Sequence, residues 1–276
     1  MLEQNISSYE HFGKCVFLTN GTIELAASLE FGPRVLRFAL KDEPNVLYEQ
    51  PGDAAYLCTE AGWRVYGGLR LAMAPESEKS YFPDNAPVEY ELLSDGLLLT
   101  QVNDGYLNIS KRIRIQFTDE PDSVFFYFEI LNNGVEPIFG SPWAITAVKP
   151  GGVLHIPFFS NTMNTFPNRF ISLWGNTSLA DERLKFSDTE LTISYLPLER
   201  YFKMGINCPK GFAQYDICGQ SFTKHFEYNE NARYPDNNVN LEVYCCKHMI
   251  EIESLGPLCE ILPCEAMRHE EKWTLI

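Results

Sequence analysis

The feature that most constrains this chain is a hydrophobic period of two. Between 109 and 117, Ile113, Ile115 and Phe117 fall on one side of an extended chain, and Arg112, Arg114 and Gln116 fall on the other. Successive strand side chains point to opposite faces, so such a segment has one face to bury and one to hydrate. Residues 88–92 repeat the pattern: Val88, Tyr90 and Leu92 alternate with Glu89 and Glu91, and Ser94-Asp95-Gly96 turns the chain into 97–100. Residues 186–194 read as a second hairpin around Ser187-Asp188, and 241–246 and 248–255 as two late strands. The run VFFYFEI (124–130) is apolar on both faces and reads as a strand buried between layers. Turn clusters at 118–123, 132–137 and 208–211 recur at short intervals, and no long window carries a helical stripe. The expected fold is therefore all-β. So many strands with open edges would aggregate, which favours two stacked sheets or a closed barrel.

No Ser/Pro linker or shift in composition splits the chain, so 1–276 reads as a single domain, with 150–168 as a long irregular connection. Twenty-two basic residues against 37 acidic ones give a formal net charge of -15. Such a chain repels phosphate backbones and anionic membranes, and no run of Lys and Arg offsets that, so neither nucleic acid nor membrane is an expected partner. The N-terminus, MLEQNISSYEHFGKC, has no basic n-region or apolar h-region, which points to a cytoplasmic protein. The cysteines (Cys15, Cys58, Cys208, Cys218, Cys245, Cys246, Cys259 and Cys264) then read mostly as buried strand thiols rather than disulfides. Cys245 and Cys246, being adjacent, take opposite faces of one strand and suit joint metal ligation poorly. The five histidines have no metal-ligand spacing, and a Gly-x-Ser-x-Gly nucleophile elbow is absent.

Three features carry possible chemistry. In HMIEIESLGP (248–257), Ile250 and Ile252 take one face and Glu251 and Glu253 the other. If the isoleucines enter the core, two carboxylates lie side by side on the open face of the sheet. They form either a solvated surface or an acid/base pair, because neighbouring carboxylates raise one another's pKa. In GWRVYGGLRLAMAPE (62–76), two glycines allow close backbone approach on a segment too irregular for a plain strand. Arg70 there serves either an internal Glu or a ligand. Trp63, Trp143, Trp174, Tyr81 and Tyr234, with Asn85, Asn168 and Asn237, supply the planes and forks that bind sugars, or simply pack a core.

Taken in order, the segments LTNGTIELAASLEFGPRVLRFAL (18–40), GGLRLAMAPE (67–76), Pro83-Asp84-Asn85, SPWAITAVKPGG (141–152), Pro167-Asn168-Arg169, Leu173-Trp174, Asp181-Glu182-Arg183, YPDNNVNLEVY (234–244) and IEIESLGPLCEILPCE (250–265) cover nearly the whole chain. Together they resemble bacterial proteins related to aldose 1-epimerase, the galactose mutarotase-like superfamily. The resemblance implies an antiparallel β-supersandwich whose concave sheet carries a sugar site. No organic cofactor is implied and no metal ligands are assigned, with a cation at the acidic face formed by Glu251, Glu253 and Asp236 as the lesser alternative. Counting back from LPCE (262–265), Glu253 matches the family's general base, with Glu251 as the alternative. Arg70, Asp84, Asn85, Trp143, Trp174, Arg183, Lys224 and Asp236 are the expected substrate contacts. Two departures stand out: Leu69 and Trp143 occupy positions where relatives carry histidine. The ring-oxygen acid is thereby left to Arg70, Lys224 or a histidine brought in by the fold. The expected function is interconversion of sugar anomers. The alternative is a sugar-binding or sensing module without catalysis, and a polysaccharide lyase is disfavoured because no helical domain accompanies the sheets.

Overall fold

The computed structural model describes residues 2–52, 62–101, 106–158 and 167–276. Its first strands are β1 (Glu3–Ser8), β2 (Lys14–Thr19), β3 (Ile23–Ser28), β4 (Arg34–Leu40), β5 (Gly68–Ala74), β6 (Glu89–Leu93) and β7 (Gly96–Gln101). Next come β8 (Ile109–Phe117), β9 (Ser123–Asn132), β10 (Ile138–Val148), β11 (Val153–Pro157), β12 (Ile171–Leu173), β13 (Leu184–Phe186) and β14 (Glu190–Ser194). The last are β15 (Phe202–Ile206), β16 (Phe212–Ile217), β17 (Gln220–Phe226), β18 (Leu241–Cys245), β19 (Ile250–Leu255), β20 (Cys259–Ile261) and β21 (Ala266–Leu275).

They form two antiparallel sheets. The larger runs β1-β2-β3-β4-β5-β10-β19-β18-β15-β12, with β20 against β10, and the smaller runs β13-β14-β11-β16-β17-β21-β9-β8-β7-β6. The alternation seen in sequence is what glues them. Ile113, Ile115, Phe126, Phe128 and Phe222 from one sheet meet Leu69, Leu71, Ala144, Phe202, Val243 and Ile252 from the other in one buried cluster. Each large side chain buried there contributes about 1.5–3 kcal/mol. Trp273 on β21 joins the layers, its ring centroid 4.3 Å from Phe126, 5.0 Å from Phe222 and 5.2 Å from Phe38 of the opposite sheet.

Several local expectations change. The 124–130 run is not buried on both faces. Val124, Phe126, Phe128 and Ile130 enter the core, while Phe125, Tyr127 and Glu129 are half-buried on the outer face. Long side chains cover that face instead of a third layer: Lys272 lies over the Phe125 ring at 5.6 Å and Arg268 donates to Glu129 at 2.7 Å. Within 150–168, Val153–Pro157 is the regular strand β11, and 159–166 lie outside the described residues. Cys15, Cys208, Cys245 and Cys246 are buried thiols, but Cys218 and Cys264 are exposed at left-handed turn positions; Cys58 lies outside the described residues.

The segment after the glycine pair is a regular strand, β5, and the irregularity lies before it, in 62–67. Gly67 and Gly68 have φ of 89° and 65°, and a Cβ on them would collide with the carbonyl oxygens of Tyr48 and Val35. Gly68→Ala is expected to cost about 2–3 kcal/mol of stability by overpacking, read from urea unfolding midpoints. A neutral result would mean that the backbone can part at this point.

Between the sheets lies a polar network. Lys224 on β17, expected as a substrate contact, is instead sealed in the interior. Its Nζ donates to the carbonyls of Ala144 (2.8 Å) and Ile252 (2.9 Å) and to Thr146 Oγ1 (2.9 Å), and it pairs with Glu271 at 3.0 Å. Ser254, His269 and Trp273 complete the set around Glu271 and each other. Burial pushes the His269 pKa down to about 3, so it remains neutral there. The network ties β10 and β19 to β17 and β21 from the core side.

Candidate functional site

The outward faces of β5, β10, β19, β18 and β15 build a second polar cluster. Strand register sets Arg70 beside Ile145, Ile145 beside Glu253, and Glu253 beside Glu242. One row along stand Ala147, Glu251, Tyr244 and Lys203. Over these rows opens a cavity of about 420 Å³, whose lining includes Arg70, Glu76, Lys203, Glu251 and Glu253 with Trp63, Tyr81, Trp143, Trp174, Tyr201 and Tyr244. The carboxylates are therefore not on an open face. Loop 62–67 and the residues after β5 cover them, and Glu253 is only 1% exposed.

Electrostatics converge on Lys203. Its Nζ lies 2.8 Å from Glu76 Oε2, 3.0 Å from Glu242 Oε2 and 3.2 Å from Glu253 Oε2. It also sits 4.3 Å and 5.0 Å from the ring centroids of Trp143 and Trp174. Like charges directly across a strand pair repel, and Glu253 faces Glu242 in register, so the ammonium is what lets them coexist. Burial alone would favour the neutral amine. The charges of Glu253, Glu242 and Glu76 override it and hold Lys203 protonated above its usual range. Burial likewise works against the Glu76 carboxylate, but Lys203 and the hydroxyl of Tyr81 keep its pKa below the usual value.

Two carboxyls go the other way. Burial drives Glu242 well above the usual carboxylate range; Lys203 opposes this, while the charge of Glu253 and a hydrogen bond with Asp236 reinforce it. Among the described residues no donor meets Glu242 Oε1 or Asp236 Oδ2, so a proton held by Glu242 supplies the missing link between them. Burial pushes Glu251 up to about 7; Arg70 and Lys203 oppose the rise and Glu253 adds to it. Glu253 Oε2 accepts the indole N–H of Trp143 at 2.9 Å, and the guanidinium of Arg70 lies over the Trp63 ring at 4.6 Å. Two carboxyl groups in contrasting environments on one strand can take a proton from one atom and give one to another. Among the described residues, no group of three or more His, Cys, Asp or Glu is placed to hold a metal ion, and no helix is long and apolar enough to cross a membrane.

Solved structures share this architecture. A galactose mutarotase-like protein from Lactobacillus casei superposes with a TM-score of 0.64 at 11% identity, covering 95% of this chain and all (100%) of its own. The fold is galactose mutarotase-like. An Escherichia coli protein provisionally assigned as an aldose 1-epimerase matches with a TM-score of 0.60 at 11% identity, over 100% of this chain and 99% of its own. A TPR-domain-containing protein from Parabacteroides distasonis matches with a TM-score of 0.63 at 14% identity; the alignment covers 95% of this chain but only 47% of that longer one. No protein-family model and no curated protein matches the sequence.

On this mutarotase-like sheet, Glu253, Glu251, Arg70, Trp143 and Trp174 come together around the cavity. Other expected contacts do not. Asp84 is buried in an ion pair with Arg34 at 2.9 Å, which overrides the cost of burial and holds its pKa below the usual value. Asn85 accepts from the Tyr66 hydroxyl at 3.0 Å and donates to the Gly62 carbonyl at 2.7 Å, so it braces the loop that carries Trp63. Asp236 stands behind the site, on Glu242. Arg183 lies on the core side of β15, paired with Asp181 at 2.8 Å and stacked 4.7 Å over Phe202. Arg183→Met is thus expected to leave ligand binding unchanged while costing about 1–3 kcal/mol, because Asp181 keeps Arg200 at 3.2 Å. Parallel ligand titration and thermal unfolding check this, and a loss of affinity at intact stability would contradict the placement.

Leu69, where the resemblance leads one to expect histidine, points into the core beside Leu71, the opposite side of β5 from Arg70. The groups that sequence reasoning missed are Lys203, Glu76 and Glu242. A signal existed for two of them: Lys203 and Glu242 are lone charges in otherwise apolar strands, FKMGI and LEVYC, and a buried charge in such a run requires a partner.

Proposed function

We propose that this chain interconverts the α and β anomers of an aldose in the cavity over β19, with Glu253 as general base. The observation that carries the reading is a buried glutamate on the floor of an aromatic-lined cavity, in a galactose mutarotase-like fold, with a second carboxyl two residues away on the same face. Glu253 takes the proton of the anomeric hydroxyl. The bond between the anomeric carbon and the ring oxygen breaks as that oxygen receives a proton, giving the open-chain aldehyde. Rotation about the next carbon–carbon bond and reclosure by the reverse steps yield the other anomer, so no atom or electron is gained or lost. Arg70 and Lys203 orient hydroxyls, and the indoles of Trp143 and Trp174 shield the reacting centre from water. The reaction calls for no organic cofactor.

A second reading, a sugar-binding module without turnover, is favoured by one fact: among the described residues no histidine lines the cavity. Exchange spectroscopy between α and β anomeric protons, run on a panel of free aldoses with saturation-transfer detection of binding, separates the two. Exchange faster than the buffer blank supports the isomerase. Binding with exchange at the blank rate supports the module and removes the isomerase.

A further inference from the structure

Resting on the isomerase reading, we infer that Glu251 is the general acid that hands its proton to the ring oxygen, the part that neither absent histidine can play. Glu251 and Glu253 lie two residues apart on β19 and project from the same face into one cavity. At the strand rise of about 3.3 Å per residue their Cα atoms are roughly 6.6 Å apart, a spacing that lets two different oxygens of one sugar ring each meet a carboxyl.

The polar groups nearest the pair are poor proton donors near neutrality, and burial raises the Tyr244 hydroxyl as well. Lys203 is held protonated by three carboxylates, Arg70 does not deprotonate in proteins, and the Tyr81 hydroxyl already donates to Glu76 while burial and that carboxylate raise its pKa. Trp143 spends its N–H on Glu253. His269 is locked between the sheets on Ser254.

The surroundings of Glu251 suit a carboxyl that carries its proton at neutral pH. Its charged and titratable neighbours are Glu253 on its own strand, Arg70 on β5, Arg34 on β4, Lys203 on β15, and Tyr244 with Cys246 from β18 and its end. β10 contributes only Ala147 opposite it. Burial and Glu253 raise it and the cations oppose, with a balance near 7. The charge of Glu253 beside it is one of the forces that keep a proton on Glu251.

The test combines two measurements on the full chain. In a ¹³C titration of glutamate Cδ signals, the resonance lost in Glu251→Gln or Glu251→Asp is expected to titrate near pH 7. Exchange rates in the wild type are expected to decline above that same midpoint, since the acid must be protonated. Glu251→Gln is expected to lose about 10²-fold in rate and the alkaline decline with it, while sugar binding changes less than about threefold. A midpoint in the ordinary carboxylate range overturns the assignment, as does an unchanged rate in Glu251→Gln when the wild type is active. Absence of exchange in the wild type removes the isomerase reading and this assignment together, which distinguishes the two failures.

Discussion

Glu253→Gln is expected to lower anomer exchange by about 10²–10⁴-fold while leaving the chain folded and able to bind sugar. The substitution keeps shape and keeps an oxygen to accept the Trp143 N–H, but removes the basic carboxylate. It also leaves Lys203 its contacts with Glu76 at 2.8 Å and Glu242 at 3.0 Å. Glutamine is therefore a cleaner probe than alanine, which would also empty part of a packed floor. The measurement is the exchange rate against the wild type at equal saturation, with thermal unfolding as control. A rate within tenfold of the wild type, at intact stability, would show that the base lies elsewhere.

Lys203→Met is expected to destabilise the chain by about 3–5 kcal/mol at pH 8, because it leaves a desolvated carboxylate cluster without its cation. Methionine fills similar volume, so the loss reports charge rather than a cavity. Glu76, Glu242 and Glu253 all sit within 3.2 Å of the present ammonium, and Glu242 and Glu253 are 1% exposed. The sign with pH follows from linkage. Without the ammonium, the buried carboxyls have folded pKa values above their unfolded ones. Such groups favour folding below the unfolded pKa and lose that contribution as pH rises through the folded one. The deficit of the variant should therefore widen from pH 5 to pH 8. Urea unfolding at both pH values decides it. An equal, small loss at each would mean that Lys203 does not hold these carboxylates in place.

Much of the fold was legible because strand periodicity is a local property. The hairpin β6–β7 and the faces of β8 follow directly from alternation at 88–100 and 109–117, and the hairpin read at 186–194 is β13–β14, which begins two residues earlier. The opposite facing of Ile250 and Ile252 against Glu251 and Glu253 is of the same kind: two isoleucines reach the main core and two glutamates reach the cavity. The candidate site was less legible. Arg183 and Lys224 look in sequence like any charged residue beside apolar neighbours, and their destinations depend on partners at Asp181 and Glu271. Nothing at 203 announces that Glu76, 127 residues away, will meet it.

By itself, then, the sequence determined the class of fold, the face that each strand residue takes, and the pairing of two glutamates on one late strand. Alternation decides these because successive side chains must diverge. Only the tertiary structure decided which strands became neighbours: β10 beside β19, β15 beside β18, and hence Trp143 on Glu253 and Lys203 among three carboxylates. Those pairings are set by the free energy of burying whole sheets against each other. Charges scattered along the chain became one site because the packing took them largely out of solvent and gave them each other.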